Sequence, residues 1–276
     1  MKRTLLIPSL AFASLAFASL VSANATISIV NSAGGFLGDN KAQVTTAHNG
    51  TEQINFDATG ASKLVVTIAS ESGFSNRAVT GMTLSFNGEA MNLAVLGNTR
   101  GVETNDAGGV AIFYLDNPFQ GAATFSVGIT TTAGNPNGGF ASIFGLAGTA
   151  DGVGNTNASW VTQSTAGEVS TTLTTSAQNS WVLGAVQNSG TNNGAGTPSV
   201  VSPLTLGHNG FWGSQWGSAA TGYQTVVEDG TAITPTFNTN AGANIQIIAA
   251  EFQAIPEPSA ALLACLGMLA LIRRRR

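Results

Sequence analysis

The chain has 276 residues, of which 9% are charged and 34 are glycine. Set against the roughly 25% charged residues of typical soluble proteins, that composition leaves a surface solvated mainly by Thr, Ser and Asn and argues for strands rather than Lys/Glu-coated helices. Between Ala25 and Ser259 only Lys41, Lys63, Arg77 and Arg100 oppose 14 acids, a net charge of −10, which excludes a nucleic-acid partner.

In chain order, Met1-Lys2-Arg3 precedes an apolar run from Leu5 to Val21 and the small-x-small site Ala23-Asn24-Ala25. That order reads as a secretory signal peptide over residues 1–25, with cleavage after Ala25 and the Sec translocon as first partner. The body, residues 26–254, is about 230 residues, ordinary for one β-sandwich.

Strand signals fill the body. Ala123, Phe125, Val127 and Ile129 alternate with polar or small residues, as do Met82, Leu84 and Phe86, the period of a half-buried strand. Leu64–Ala69, Val110–Leu115 and Trp181–Val186 are nearly continuous apolar runs that suit strands buried on both faces, and Ile245–Phe252 is the last strand expected. Asn87-Gly88 predicts a type I′ hairpin; Asp229-Gly230 predicts another, and Asn49-Gly50 an earlier one. Gln187–Pro198 reads as a surface loop, and no internal repeat is visible. The expected fold class is all-β, an antiparallel β-sandwich in one domain.

Residues 54–150 resemble a β-sandwich domain of secreted bacterial proteins. The resemblance rests on Leu64-Val-Val-Thr, then Val79 to Gly88, then Ile112 to Pro118, with a Trp-Val-Leu-Gly-Ala-Val strand at 181. It implies jelly-roll topology and brings no catalytic residues.

The C-terminus carries Pro256-Glu257-Pro258, then 14 uncharged residues from Ser259 to Ile272, then Arg273, Arg274, Arg275 and Arg276. As a helix those 14 residues span about 21 Å, short of a hydrocarbon core of about 30 Å. The terminal arginines fit a cytoplasmic stop, and bilayer thinning accommodates the shortfall. Residues 255–276 thus resemble the PEP-CTERM sorting tail of Gram-negative bacteria, a short transmembrane helix in the precursor. The resemblance implies an exosortase as processing partner, association with exopolysaccharide, and a location at the cell surface, outer membrane or extracellular matrix. A GPI signal is the rival reading, and the terminal arginines with the Pro-Glu-Pro motif argue against it.

Candidate chemistry in the body is sparse. No Gly-x-Ser-x-Gly elbow or phosphate loop occurs, and Cys265, the lone cysteine, lies in the tail. His48 and His208 sit in identical His-Asn-Gly tripeptides, read as turns rather than as a base or metal pair. Asp106, Asp116-Asn117 and Asp151 to Asn155 offer oxygens to a structural calcium, but turn formation explains them more simply. No cofactor is expected. Trp212 and Trp216, with Tyr223, would share one face if that segment were a strand, forming a carbohydrate platform; otherwise they close the core. The sequence therefore predicts a non-catalytic structural protein of the cell surface, with a carbohydrate-binding module as alternative and a secreted hydrolase as the weakest.

Overall fold

The computed structural model describes residues 26–37, 52–71, 79–98, 108–131, 138–163, 165–189, 197–212, 217–240, 242–256 and 273. They contain nineteen strands, all antiparallel where paired. In the first half these are β1 (Ser28–Leu37), β2 (Glu52–Asp57), β3 (Lys63–Glu71), β4 (Val79–Phe86), β5 (Glu89–Ala90), β6 (Asn92–Asn98), β7 (Gly108–Asp116), β8 (Ala122–Thr131) and β9 (Gly139–Ala147). In the second half they are β10 (Thr156–Gln163), β11 (Gly167–Ser170), β12 (Leu173–Thr174), β13 (Ser180–Ser189), β14 (Ser199–Val200), β15 (Thr205–Trp212), β16 (Gly217–Val226), β17 (Ala232–Ile233), β18 (Thr236–Thr239) and β19 (Gly242–Phe252). Among the described residues no helix is long and apolar enough to cross a membrane. Apart from Ile255, Pro256 and Arg273, the signal peptide and sorting tail lie outside the described residues.

The two halves repeat one topology. A five-stranded sheet in the order β1-β9-β3-β7-β6 faces a four-stranded sheet β2-β8-β4-β5; the second half repeats this as β10-β19-β13-β16-β15 facing the ribbons β11-β18-β14 and β12-β17. Within the first half, Leu64, Val66 and Ile68 meet Phe86, Phe125 and Val127 across one core. Within the second, Val186, Ala220 and Ile247 meet Phe237, and Val182 meets Leu173 and Ile233. A third core lies between the halves: Val65, Val110, Ile112, Phe144 and Leu146 pack against Trp181, Leu183, Ile248, Ala250 and Phe252. The body is therefore four layers deep, and Thr26–Ala254 forms a single compact unit.

Four layers explain the apolar runs. Residues 64–69, 181–188 and 245–252 are buried throughout, because odd positions face one core and even positions another. The strands of the outer sheet alternate instead. In β8, Phe125 and Val127 are buried while Ser126 and Gly128 are half-buried, as its period predicts.

The five-stranded sheets stack in reverse order. β1 lies over β15 and β6 over β10, β9 lies over β15 and β16, β7 over β13 and β19, and β3 over β13 near the middle. Each contact has its counterpart under exchange of the halves, the signature of a pseudo-two-fold axis. This repeat was invisible in the sequence because topology is kept while side chains differ.

The turns are met in part. Asn87 (φ 51°) and Gly88 (φ 80°) form the hairpin joining β4 to β5. Asp229-Gly230 is a turn, with Gly230 at φ 65°, but not a hairpin: β16 pairs with β13 and β15, while β17 pairs with β12. His208-Asn209-Gly210 is not a turn at all; it lies inside β15, where the register shifts between Leu206 and Asn209. The expected loop at 187–198 begins later, since Gln187 to Ser189 belong to β13 and both Gln187 and Asn188 are buried. The two halves join not there but at residues 148–155. Asn49-Gly50 lies outside the described residues.

Phe144 is the ring on which the central core turns. It contacts Trp181 at 5.5 Å, His208 at 5.3 Å and Tyr223 at 5.9 Å between centroids, all three from the other half. Phe144→Ala should cost about 3–5 kcal/mol by the usual cavity penalty, read as a lower denaturant midpoint with an unchanged slope.

Candidate functional site

The long connections that follow β1, β3, β6, β8 and β13 leave from one pole. The ends of β3, β7 and β9 meet there as Glu71 pairs with Gly108 and Ser70 with Gly139, and the ends of β13, β16 and β19 as Ser189 pairs with Gly217 and Asn244. At the opposite pole the chain turns tightly, and both body termini emerge. Ala254 pairs with Thr149, and a Cβ at Gly148 would lie 2.9 Å from the Thr26 carbonyl oxygen.

The tight-turn pole holds two buried charges, one on each side of the 148–155 junction. Lys63 begins β3, opposite Asp116 at the end of β7. Its ammonium is fully buried, pairs with Asp116, donates to the Gly152 carbonyl at 2.6 Å and lies 4.9 Å above the Tyr114 ring. Asp116 also accepts from the Gly152 amide at 2.8 Å. Burial pushes the ammonium below the ordinary lysine range, opposed by its hydrogen bond to Asp116.

Glu251 sits in β19 among apolar neighbours and is also fully buried. Its carboxylate accepts from the amides of Asn155, Ser176 and Ala177 at 2.8–3.1 Å and from the hydroxyls of Ser176 and Ser180 at 2.8 and 2.6 Å. Burial alone would raise its pKa, but the hydrogen bonds led by Ser180, Asn155 and Ser176 outweigh it and hold the group below the ordinary carboxylate range. Five donors saturate a carboxylate, so Glu251 is an anchor with no capacity left to act as a base. Neither Lys63 nor Glu251 was singled out in the sequence; the available signal was a charge at or inside an apolar strand.

The long-connection pole is polar beneath its surface. Asn188 and Ser218 face each other across β13 and β16, and Gln246 donates to the Gly108 carbonyl at 2.9 Å. Asn188 Oδ1, Ser218 Oγ and Gln246 Oε1 are buried without a hydrogen-bond partner among the described residues, a setting that ordered water satisfies. His208 lies against Phe144 and above Gly34, its Nδ1 likewise buried and unpartnered. Burial lowers its pKa below 6.5.

The residues predicted from sequence scatter. His48, Asp106 and Trp216 lie outside the described residues. Trp212 ends β15 with its backbone opposite Gly217, and a face shared with Trp216 lies outside the described residues. Tyr223 turns inward, 5.4 Å from Trp181. Asp116 is committed to Lys63 and Gly152, while Asn155 donates to Thr174 at 2.7 Å. Among the described residues no three His, Cys, Asp or Glu side chains converge.

No family model and no curated protein matches the chain. Among solved structures, the STIV MCP is 10% identical over 85% of this chain and 99% of its own, with a TM-score of 0.25. The major capsid protein P2 from Bacteriophage PM2 is 11% identical over 82% and 100%, with a TM-score of 0.24. A conserved protein of unknown function from Pseudomonas aeruginosa PAO1 is 10% identical over 81% and 100%, with a TM-score of 0.19. Similarity at this level carries no argument about fold or function.

Both Glu251 and His208 have lowered pKa values in the folded chain. Each therefore contributes stability that is complete above its unfolded pKa, 4.5 and 6.5 respectively, and is lost as pH falls through the folded value. Thermal melts from pH 7 to 3 should show a decline in two steps. His208→Phe should remove the step below pH 6.5, and Glu251→Gln the one below pH 4.5. Glu251→Ala, which strands five donors, should cost on the order of 3 kcal/mol at pH 7.

Proposed function

We propose that this protein is exported, processed by an exosortase and deployed as a non-catalytic structural component of the cell surface or extracellular matrix. The observation that carries the reading is Pro256-Glu257-Pro258 followed by an apolar run and Arg273 to Arg276. The fold is consistent with it. The chain leaves the body at Ala254, at the tight-turn pole. Among the described residues, the two fully buried charges, Lys63 and Glu251, both fix backbone at or beside the junction, which suits a rigid module.

Each half also supports the jelly-roll reading. Assigning the first, ninth, third and seventh strands to one layer and the second, eighth, fourth and fifth to the other reproduces that topology, and the second half repeats it. The carbohydrate-binding alternative rests on Trp212 and Trp216 alone, since Tyr223 belongs to the central core.

Mass spectrometry of the secreted and membrane fractions tests the reading. In a Gram-negative host with a cognate exosortase, the mature chain should begin after Ala25 and end near Pro258. Without the exosortase, or with Pro256, Glu257 and Pro258 all changed to Ala, the tail should be retained in the inner membrane. Full-length protein found only in the cytoplasm would refute export.

A further inference from the structure

Lys63 and Asp116 stand directly opposite each other on β3 and β7, so their side chains leave the sheet on the same face. The Lys63 side chain has no exposure, and Nζ contacts Asp116 Oδ1. The Tyr114 and Phe252 rings lie 4.9 and 5.9 Å from Nζ, so the nitrogen sits in an aromatic pocket closed to bulk water. Asp116 keeps 21% of its side-chain exposure, which leaves one way out from the carboxyl to solvent.

Gly152 completes the arrangement. Its φ of 79° favours glycine, and from that conformation it presents both halves of its backbone to the pair. Its amide donates to Asp116 Oδ2 at 2.8 Å, and its carbonyl accepts from Lys63 Nζ at 2.6 Å. One carboxyl oxygen is thus held by a fixed N–H donor, and the other touches the amine. These are the parts of an acyl transfer: a nucleophilic nitrogen, an acyl carbon, and a donor on the oxygen where negative charge develops.

We propose that Lys63 and Asp116 condense into an intramolecular isopeptide bond, joining Nζ to Cγ with loss of one water. One proton passes from the ammonium to Oδ1, which leaves a neutral amine and a neutral carboxylic acid. The amine lone pair adds to Cγ, and charge gathers on Oδ2 against the Gly152 amide. A second nitrogen proton moves to Oδ1, the Cγ–Oδ1 bond breaks, and water departs through the exposed side of Asp116. No oxidant, cofactor or second protein enters the balance.

Two considerations favour the product. Holding the reacting groups in contact makes the condensation effectively unimolecular. The amide also removes two charges from a buried site where desolvation is costly, and burial already draws the lysine toward its neutral form. The existing partners serve the product unchanged, since its N–H donates to the Gly152 carbonyl and its oxygen accepts from the Gly152 amide. The body contains no cysteine, so this bond would be a covalent staple between strands that a disulfide cannot supply.

Mass spectrometry of the purified, denatured full chain tests the proposal. Most molecules should be lighter than their sequence by one water. Trypsin should fail to cut after Lys63, because an acylated lysine is no substrate, and a peptide containing Lys63 should be found joined to one containing Asp116. Lys63→Met and Asp116→Ala should each have the full sequence mass, and in SDS each should migrate differently from the linked wild-type chain. A wild-type chain of full mass that trypsin cuts after Lys63 would overturn the proposal whether or not the variants fold. So would a water loss that maps to a cyclic imide at Asp151-Gly152 or Asp229-Gly230 and persists in Lys63→Met. The chemistry is independent of export, so its failure would leave the reading of the tail untouched.

Discussion

Two five-stranded sheets are buried on both faces, and most other features follow from that. A strand with a core on each side has no position for a solvated side chain, and its amides and carbonyls can be satisfied only by neighbouring strands. The inner strands β3, β7, β9, β13, β16 and β19 accordingly pair in unbroken register. Charge is driven to the margins. Where it remains buried, as at Lys63 and Glu251, it is saturated with partners, because an unpaired ion there would cost more than the pair returns.

Edges pose the complementary problem. An open sheet edge templates pairing with other chains, and many proteins blunt it with lysine. This chain has few lysines to place, and it uses register shifts instead. All four edge strands of the central sheets carry one: β1 at Ile29/Asn31, β6 at Leu93/Val95, β10 at Val161/Gln163 and β15 at Leu206/Asn209. A bulge twists the strand and breaks its row of donors and acceptors. The exposed apolar side chains Val30, Leu93, Trp160 and Leu206 sit at or beside these irregularities, where an incoming strand could not lie flat along them.

Sequence periodicity revealed the strands because burial writes directly onto it. Leu64–Ala69 and Trp181–Val186 stood out as two-faced strands, and Asn87-Gly88 as a hairpin, since only positive φ at both residues builds that turn. What stayed hidden depends on partners distant in the chain. A continuous apolar run signals two cores without saying that the second belongs to another half of the same chain. His-Asn-Gly resembles a turn locally, yet at 208–210 it is held in β15 by Ala219 and Ala220 of β16. Glu251 looked unremarkable because its five donors come from residues 71 to 96 positions away. The duplicated topology left no sequence trace because a sheet specifies which face is apolar, not which apolar residue occupies it.

The same division into layers and poles governs how the body would carry force. β1, through which the chain enters, is an edge strand paired only with β9. β19, through which it leaves, has eleven residues and is flanked by β10 and β13 along most of its length. Tension applied through a C-terminal attachment would have to shear two antiparallel ladders at once, and Glu251, one residue from the strand's end, adds five hydrogen bonds where the pull enters. Ala254 also pairs with Thr149 in the junction, so the first load falls on the segment that already binds both halves together. An attachment at the N-terminus would meet a single, bulged ladder. The stronger of the two ends is the one that continues into Pro256-Glu257-Pro258.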